Sequence, residues 1–394
     1  MRRLSHNVSL LIVLAIFLWM PHRAAAYSVL AHEALVDSAW ADVIAPILRQ
    51  RFPGTTEEQI AKARAFAYGG AVVQDLGYYP FGSKFFTDLL HYVRSGDFIE
   101  SLIRNARMVD EYAFALGALA HYSADNTGHP VAVNRSVPLI YPKLRQKFGP
   151  VVTYNDDPKR HVMVEFAFDV VQVVGNGYQA AQYQGFVGFE VCTELLERAF
   201  QETYGLEMKD LFANIDLAVG TYRYTVGTLI PDITRAAWKS KQDDIRKRFP
   251  DIQQNKFVYS LNRQDYEKQF GTMYRKPGIL ARFIVFMVRI LPKVGPLSAL
   301  AFRPPTPEAE RLFVESFNEA QQRYRAMLDL TRRGRLNLPN TDFDTGKPTM
   351  PAEYARADET YMQLRERLAQ KKQAEVPLAV RRDVDRFFGS GATP

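Results

Sequence analysis

Apolar positions along this chain recur mostly at three- and four-residue spacing, the signature of helices that bury one face. Between Met108 and Tyr122, Val109, Tyr112, Leu116 and Leu119 mark such a face. Similar patterns predict helices near 32–50, 57–67, 84–94, 158–174, 187–204 and 208–229. Breaks are expected at Phe52-Pro53-Gly54, Gly69-Gly70, Tyr79-Pro80-Phe81-Gly82, Thr127-Gly128-His129-Pro130 and Gly175-Asn176-Gly177, where turn-forming residues cluster. No alternating pattern marks a strand and no repeat is visible, so the expected class is all-α. Past residue 240 the character changes. Lys239 to Arg248 is highly charged, and Gly278 to Leu291 is strongly apolar and ends at Pro292. That apolar stretch fits a buried core helix, or a helix lying in a membrane interface with Arg282 and Arg289 at the headgroups. Residues 304–373 read as charged surface helices, and Gly389–Pro394 as a loose tail.

The first residues have a different logic. Arg2 and Arg3 precede an apolar run from Leu10 to Met20, which Pro21 ends before Ala24-Ala25-Ala26. A basic start, a short apolar core and small residues form a secretory signal, too short for the roughly 20 residues of a comfortable membrane span. An uncleaved anchor is the other reading. Cleavage after Ala26 makes Tyr27 the first residue, removes Arg2, Arg3 and Arg23, and lowers the net charge from +7 to +4. That charge is too mild to point to nucleic acid by itself. With 394 residues, 47% of them hydrophobic, the chain is globular. One cysteine, Cys192, excludes an internal disulfide framework, and its apolar neighbours predict burial. Asn134-Arg135-Ser136 is a glycosylation sequon, relevant if the source glycosylates exported proteins.

Histidine carries the chemistry. Beyond residue 26 only His32, His91, His121, His129 and His161 remain. His121 and Asp125 lie one helical turn apart, as do His161 and Glu165, so each pair can grip one cation from a single face. Gly117 and Ala118, a turn before His121, leave space above that face. His129 follows Asp125 by four, with Gly128 and Pro130 placing it at a helix end or on the next turn. His91 sits in an otherwise apolar helix, where a lone imidazole more often has an ordinary partner. Asp75 follows Gly69-Gly70, where backbones can approach closely. Imidazole and carboxylate without thiolate suit catalytic rather than structural zinc.

This ordered series resembles the zinc-dependent phospholipase C superfamily, which also holds the S1/P1-type single-strand nucleases and the catalytic domain of glycosylphosphatidylinositol-specific phospholipase D. The likeness covers about residues 27–205. It implies a multi-helix bundle around a cluster of about three zinc ions; taken with the secretory signal and the change of character near residue 240, the chain divides into a signal peptide at 1–26, a catalytic domain at 27–240 and a helical C-terminal region at 241–394 with no assigned role. It further implies that the amine and carbonyl of Tyr27 hold one zinc with His32. Asp125 would bridge that ion to a second held by Asp75, His91 and His121, and His129, His161 and Glu165 would hold a third. Tyr27 stands where these phospholipases and nucleases begin with Trp. The three residues between Asp125 and His129 match the phosphatidylinositol-glycan branch, whereas the bacterial phospholipases and the nucleases have five. Glu165 matches the bacterial phospholipases, and the choline-binding residues have no counterparts here.

The activity so implied is an exported phospholipase C-type hydrolase, cleaving phospholipids to diacylglycerol and a phosphorylated headgroup by attack of zinc-bound water. Asp75 would orient or deprotonate that water, and Tyr78, Tyr79 and Phe81 would either line the entrance or pack as an ordinary loop. Peripheral membrane contact through 279–291 is a further expectation. The alternatives are an S1/P1-like nuclease, less favoured by the mild charge, and a zinc-binding protein without turnover.

Overall fold

The computed structural model describes residues 29–169, 189–226 and 303–389. Every regular element among the described residues is helical. They contain no strand, and the isolated bridge between Thr341 and Pro348 extends into none.

The chain opens with α1, Val29–Ala39, which passes through a π-helical turn at Trp40–Ile44 into α2, Ala45–Arg51. After the turn at Pro53-Gly54, α3 spans Glu57–Val72 and starts at a capping box. The Gln59 amide donates to Thr56 Oγ1 at 3.2 Å, and the Thr56 amide to Gln59 Oε1 at 2.8 Å. A 3₁₀ turn, Val73–Tyr78, leads to α4, Lys84–Tyr92, and α5, Ser95–Asn105. The longest helix of this half, α6, is Val109–Gly128. It continues through a π turn, His129–Val133, into α7, Asn134–Ile140, and then α8, Pro142–Phe148. Next come α9, Pro158–Phe168, capped by the Asp157 carboxylate on the Arg160 amide at 2.9 Å, and α10, Thr193–Tyr204. α11 is Ile215–Tyr224. Beyond residue 303, α12 is Pro307–Arg332, α13 is Ala355–Ala369 and α14 is Leu378–Gly389.

α6 is the axis of the fold. Its buried residues run almost unbroken from Glu111 to Asp125, on all sides of the helix. Such a helix must be surrounded, and it is, by α1, α3, α5 and α12. Apolar residues of α12, among them Leu312, Phe313, Phe317 and Tyr324, join the same core as Leu116 and Leu119.

Several expectations need correction. Gly69-Gly70 does not break α3. A Cβ on Gly70 would stand 1.8 Å from the Phe114 carbonyl oxygen, so the missing side chain admits the backbone of α6 instead. Gly117 likewise leaves no space beside His121, because the α3 backbone fills it. His129-Pro130 turns the chain by a π bulge, which absorbs the proline without ending the helical run. The helix expected at 187–204 begins at Thr193, and the one at 208–229 is interrupted before Ile215. α5, α7 and α8 were not anticipated: α7 and α8 have seven residues each and carry prolines, whereas α5 has eleven and buries Phe98, Ile99 and Leu102 at helical spacing. Residues 304–373 are not all surface helix. α12 buries one face, and the stretch between Gly334 and Tyr354 is an irregular strap in which Phe343 and Asp344 are buried. Cys192 is half-buried and packs against the core. The signal at 1–26, Tyr27, the break at 175–177, the charged run at 239–248, the apolar stretch at 278–291 and the tail beyond 389 lie outside the described residues. Among the described residues, no helix is long and apolar enough to cross a membrane.

Candidate metal centre

Helix α6 supplies His121 and Asp125, and its neighbours bring the rest to the same end. α1 contributes His32, the 3₁₀ turn after α3 contributes Asp75, and α4 contributes His91. His129 opens the π turn, and His161 and Glu165 lie one turn apart on α9. All eight side chains are buried to 3% exposure or less. Their ligand atoms converge in three groups, of which the first two share His121: His32, His121 and Asp125; Asp75, His91 and His121; His129, His161 and Glu165.

Asp125 stands between the first two groups. Its Oδ1 lies 3.4 Å from His32 Nε2, while its Oδ2 lies 3.1 Å from His121 Nε2 and 3.4 Å from His91 Nε2. Asp75 Oδ1 lies 3.4 Å from His91 Nε2, and its Oδ2 4.0 Å from His32 Nε2. The His32 and His121 rings stack with centroids 4.2 Å apart. Main-chain carbonyls aim two of the rings. His91 Nδ1 meets Thr87 O at 2.9 Å and His121 Nδ1 meets Ala71 O at 2.9 Å, so both Nε2 atoms face inward. In the third group His161 Nδ1 lies 2.6 Å and His129 Nε2 3.9 Å from Glu165 Oε1. His129 Nε2 is also 3.7 Å from Asp125 Oδ2, which joins the halves into one centre.

The site tests its own need for cations. Both carboxylate oxygens of Asp75, Asp125 and Glu165 are shut off from solvent and make no hydrogen bond of normal geometry. Burying three acids so close together is costly, and positive charge among them, from a protonated imidazole or from metal ions, offsets that cost. Nitrogen and carboxylate donors, with no sulfur, fit zinc. Burial dominates the intrinsic chemistry of these groups. It pushes the Glu165 carboxyl well above the usual range, and it holds His32 well below the usual imidazole value with help from His121. Burial also favours neutral Asp125, but His121, His129 and His32 around it hold that carboxyl well below the usual range. For His91, burial is outweighed by the neighbouring carboxylates of Asp125 and Asp75, which lift it to about 10.

Of the expected entrance residues, Tyr78 is half-buried, with its ring edge-on to His91 at 6.3 Å and tilted against Tyr154 at 6.1 Å. Tyr79 instead stacks on Tyr222 at 3.8 Å, within the wall of the fold.

Sequence reading missed three supporting residues. Asp169, just past α9, accepts the amides of Leu30 and Ala31 at 2.8 and 3.0 Å, anchoring the start of α1 beside His32. Asn134 is 2% exposed, its Oδ1 lies 2.7 Å from His161 Nε2, and its Nδ2 donates to Asp344 O at 2.6 Å. The sequon asparagine is therefore an internal support, inaccessible to a glycan in the folded chain. Asp344, from the C-terminal strap, meets His129 Nδ1 at 3.3 Å. Spacing could reveal none of these, since each acts on a residue distant in sequence.

Residues 31–214 match the family described as zinc dependent phospholipase C. No match is found among curated proteins or among solved structures. The matched segment contains His32, Asp75, His91, His121, Asp125, His129, His161 and Glu165. A helical fold gathers these side chains into one buried centre, and the segment that does so matches the zinc-dependent phospholipase C family model.

Proposed function

We propose that this chain is an exported phosphodiester hydrolase of phospholipase C type, acting on phospholipids to release diacylglycerol and a phosphorylated headgroup. The observation that carries the reading is the set of buried, hydrogen-bond-deficient carboxylates of Asp75, Asp125 and Glu165 facing five inward imidazoles. A zinc-storage protein has no need to join two ligand groups through His121 and set a third against Asp125. About three zinc ions bound there would acidify a water and neutralise phosphoryl oxygens.

The protein's own groups then divide the work. Asp125 presents one oxygen to His32 and the other to His91 and His121, fixing the spacing of the two halves it serves. Asp75 is held by the rigid 3₁₀ turn and offers a carboxylate oxygen to orient the nucleophile and take up its proton. Tyr78, half-exposed beside His91, lies where it can meet the alcohol side of a diester, and Tyr79 supports that loop from behind. Under this reading residues 1–26 direct export, the Tyr27 amine completes the ligands around His32, and 279–291 provides contact with the lipid surface.

The test is a substrate panel on zinc-loaded protein beginning at Tyr27: a chromogenic phosphocholine diester, phosphatidylinositol, mixed phospholipid vesicles and single-stranded DNA. Lipid hydrolysis with release of diacylglycerol supports the proposal. Cleavage of DNA alone would overturn it in favour of a nuclease, and zinc binding with no turnover in favour of a non-catalytic protein.

A further inference from the structure

The third ligand group has a back wall from a part of the chain that the family match does not reach. Where His129 Nε2 and His161 Nδ1 face Glu165, their opposite ring nitrogens face the C-terminal strap. Asp344 Oδ1 lies 3.3 Å from His129 Nδ1 and 3.5 Å from His161 Nε2. The nearer partner of His161 Nε2 is Asn134 Oδ1 at 2.7 Å, and Asn134 is itself tied to the Asp344 main chain.

We infer that Asp344 is a positioning residue for the metal centre: its carboxylate orients His129 directly, and with Asn134 it fixes His161, so that residues 339–354 complete a site whose ligands all lie before residue 170. The physical basis is general. A carboxylate on the outer nitrogen of a ligating imidazole fixes the tautomer, sets the ring angle and raises the basicity of the inner nitrogen. Asp344 is itself held rigidly for this purpose. It is 1% exposed, its Oδ2 accepts the Tyr154 amide at 3.0 Å and the Tyr354 hydroxyl, and the strap is pinned on either side. The Phe343 amide donates to His91 O at 3.0 Å, and Thr349 Oγ1 to Tyr92 O at 3.0 Å, so the same strap also touches the helix carrying His91.

The inference rests on the metal-centre reading but not on the substrate, and its test reads metal rather than turnover. Full-length mature protein and its Asp344→Asn variant are stripped of metal and titrated with zinc, and separately loaded with cobalt(II) for visible spectroscopy. Asp344→Asn should weaken one class of site by about 10- to 100-fold, leave the other classes at native affinity, and shift the cobalt bands. Tyr354→Phe, which keeps the carboxylate and removes one of its supports, should shift the same class in the same direction by a smaller factor. Should Asp344→Asn not fold, this second variant decides. Native affinity and native cobalt spectra in a folded variant would overturn the inference alone, as would equal weakening of every class. Failure of the unaltered protein to bind zinc would overturn the metal centre with it.

Discussion

Gly117 on α6 and Ala67 on α3 meet backbone to backbone, so closely that a Cβ on Gly117 would stand 1.8 Å from the Ala67 carbonyl oxygen. Gly70 meets Phe114 in the same way from the other helix. This crossing sets the distance between the turn that carries Asp75 and the helix that carries His121 and Asp125. It also explains how Ala71 O can reach His121 Nδ1.

Gly117→Ala should therefore destabilise the fold by about 3 kcal/mol or more, since the obstacle is backbone and cannot rotate away. Urea unfolding of the metal-free protein checks this. A loss below about 1 kcal/mol would mean that the helices separate easily and that the crossing does not set the site.

Asp125 and Asp75 should differ when neutralised. Asp125→Asn removes charge from a carboxylate facing His32 on one side and His91 and His121 on the other, so about two zinc ions should be weakened together. Asp75→Asn should weaken at most about one ion and slow turnover by about 10²- to 10⁴-fold, the usual worth of a positioned acid–base group. Metal analysis after dialysis, with kcat measured alongside, separates the two. Equal metal loss would erase the division of roles.

Zinc uptake should release protons. In the metal-free chain His91 is lifted to about 10 by Asp125 and Asp75 against the opposing effect of burial, so its ring is charged at pH 8. Zinc binds only the neutral ring, and loading must expel that proton. A folded pKa above the unfolded value of about 6.5 also means that protonated His91 stabilises the metal-free fold fully below that pH. This stabilisation fades as pH rises toward about 10, while zinc affinity grows over the same window. Calorimetry at pH 8 in two buffers of different ionisation heat should show at least about one proton released per chain. No release would place His91 in its neutral form before metal arrives.

Cys192 should be unreactive. Burial, then the nearby acids Asp110, Glu111 and Glu190, push its thiol up, leaving little thiolate at ordinary pH. Alkylation at pH 8 should run at least about tenfold slower in the native protein than in urea. Equal rates would show an accessible thiolate.

Local spacing made part of this legible in advance. The His121–Asp125 and His161–Glu165 pairs are set by the pitch of a helix, which any stretch of apolar periodicity announces. His129, four residues past Asp125, was expected at a helix end and opens the π turn that follows α6. The glycines near Asp75 signalled close approach, although their partner is the opposite helix rather than a ligand. α7 and α8, of seven residues each, escaped because short helices are stabilised by packing more than by their own pattern.

The sequence by itself determined the class of fold, the ligand types and the grips that lie within one helical turn, because those depend on intervals of three and four residues. Only the tertiary structure decided that Asp344 backs His129, that Asn134 holds His161 rather than a glycan, and that Asp169 anchors the start of α1. Those partners are separated by up to 215 residues, and no local period encodes a meeting that depends on how helices cross around α6.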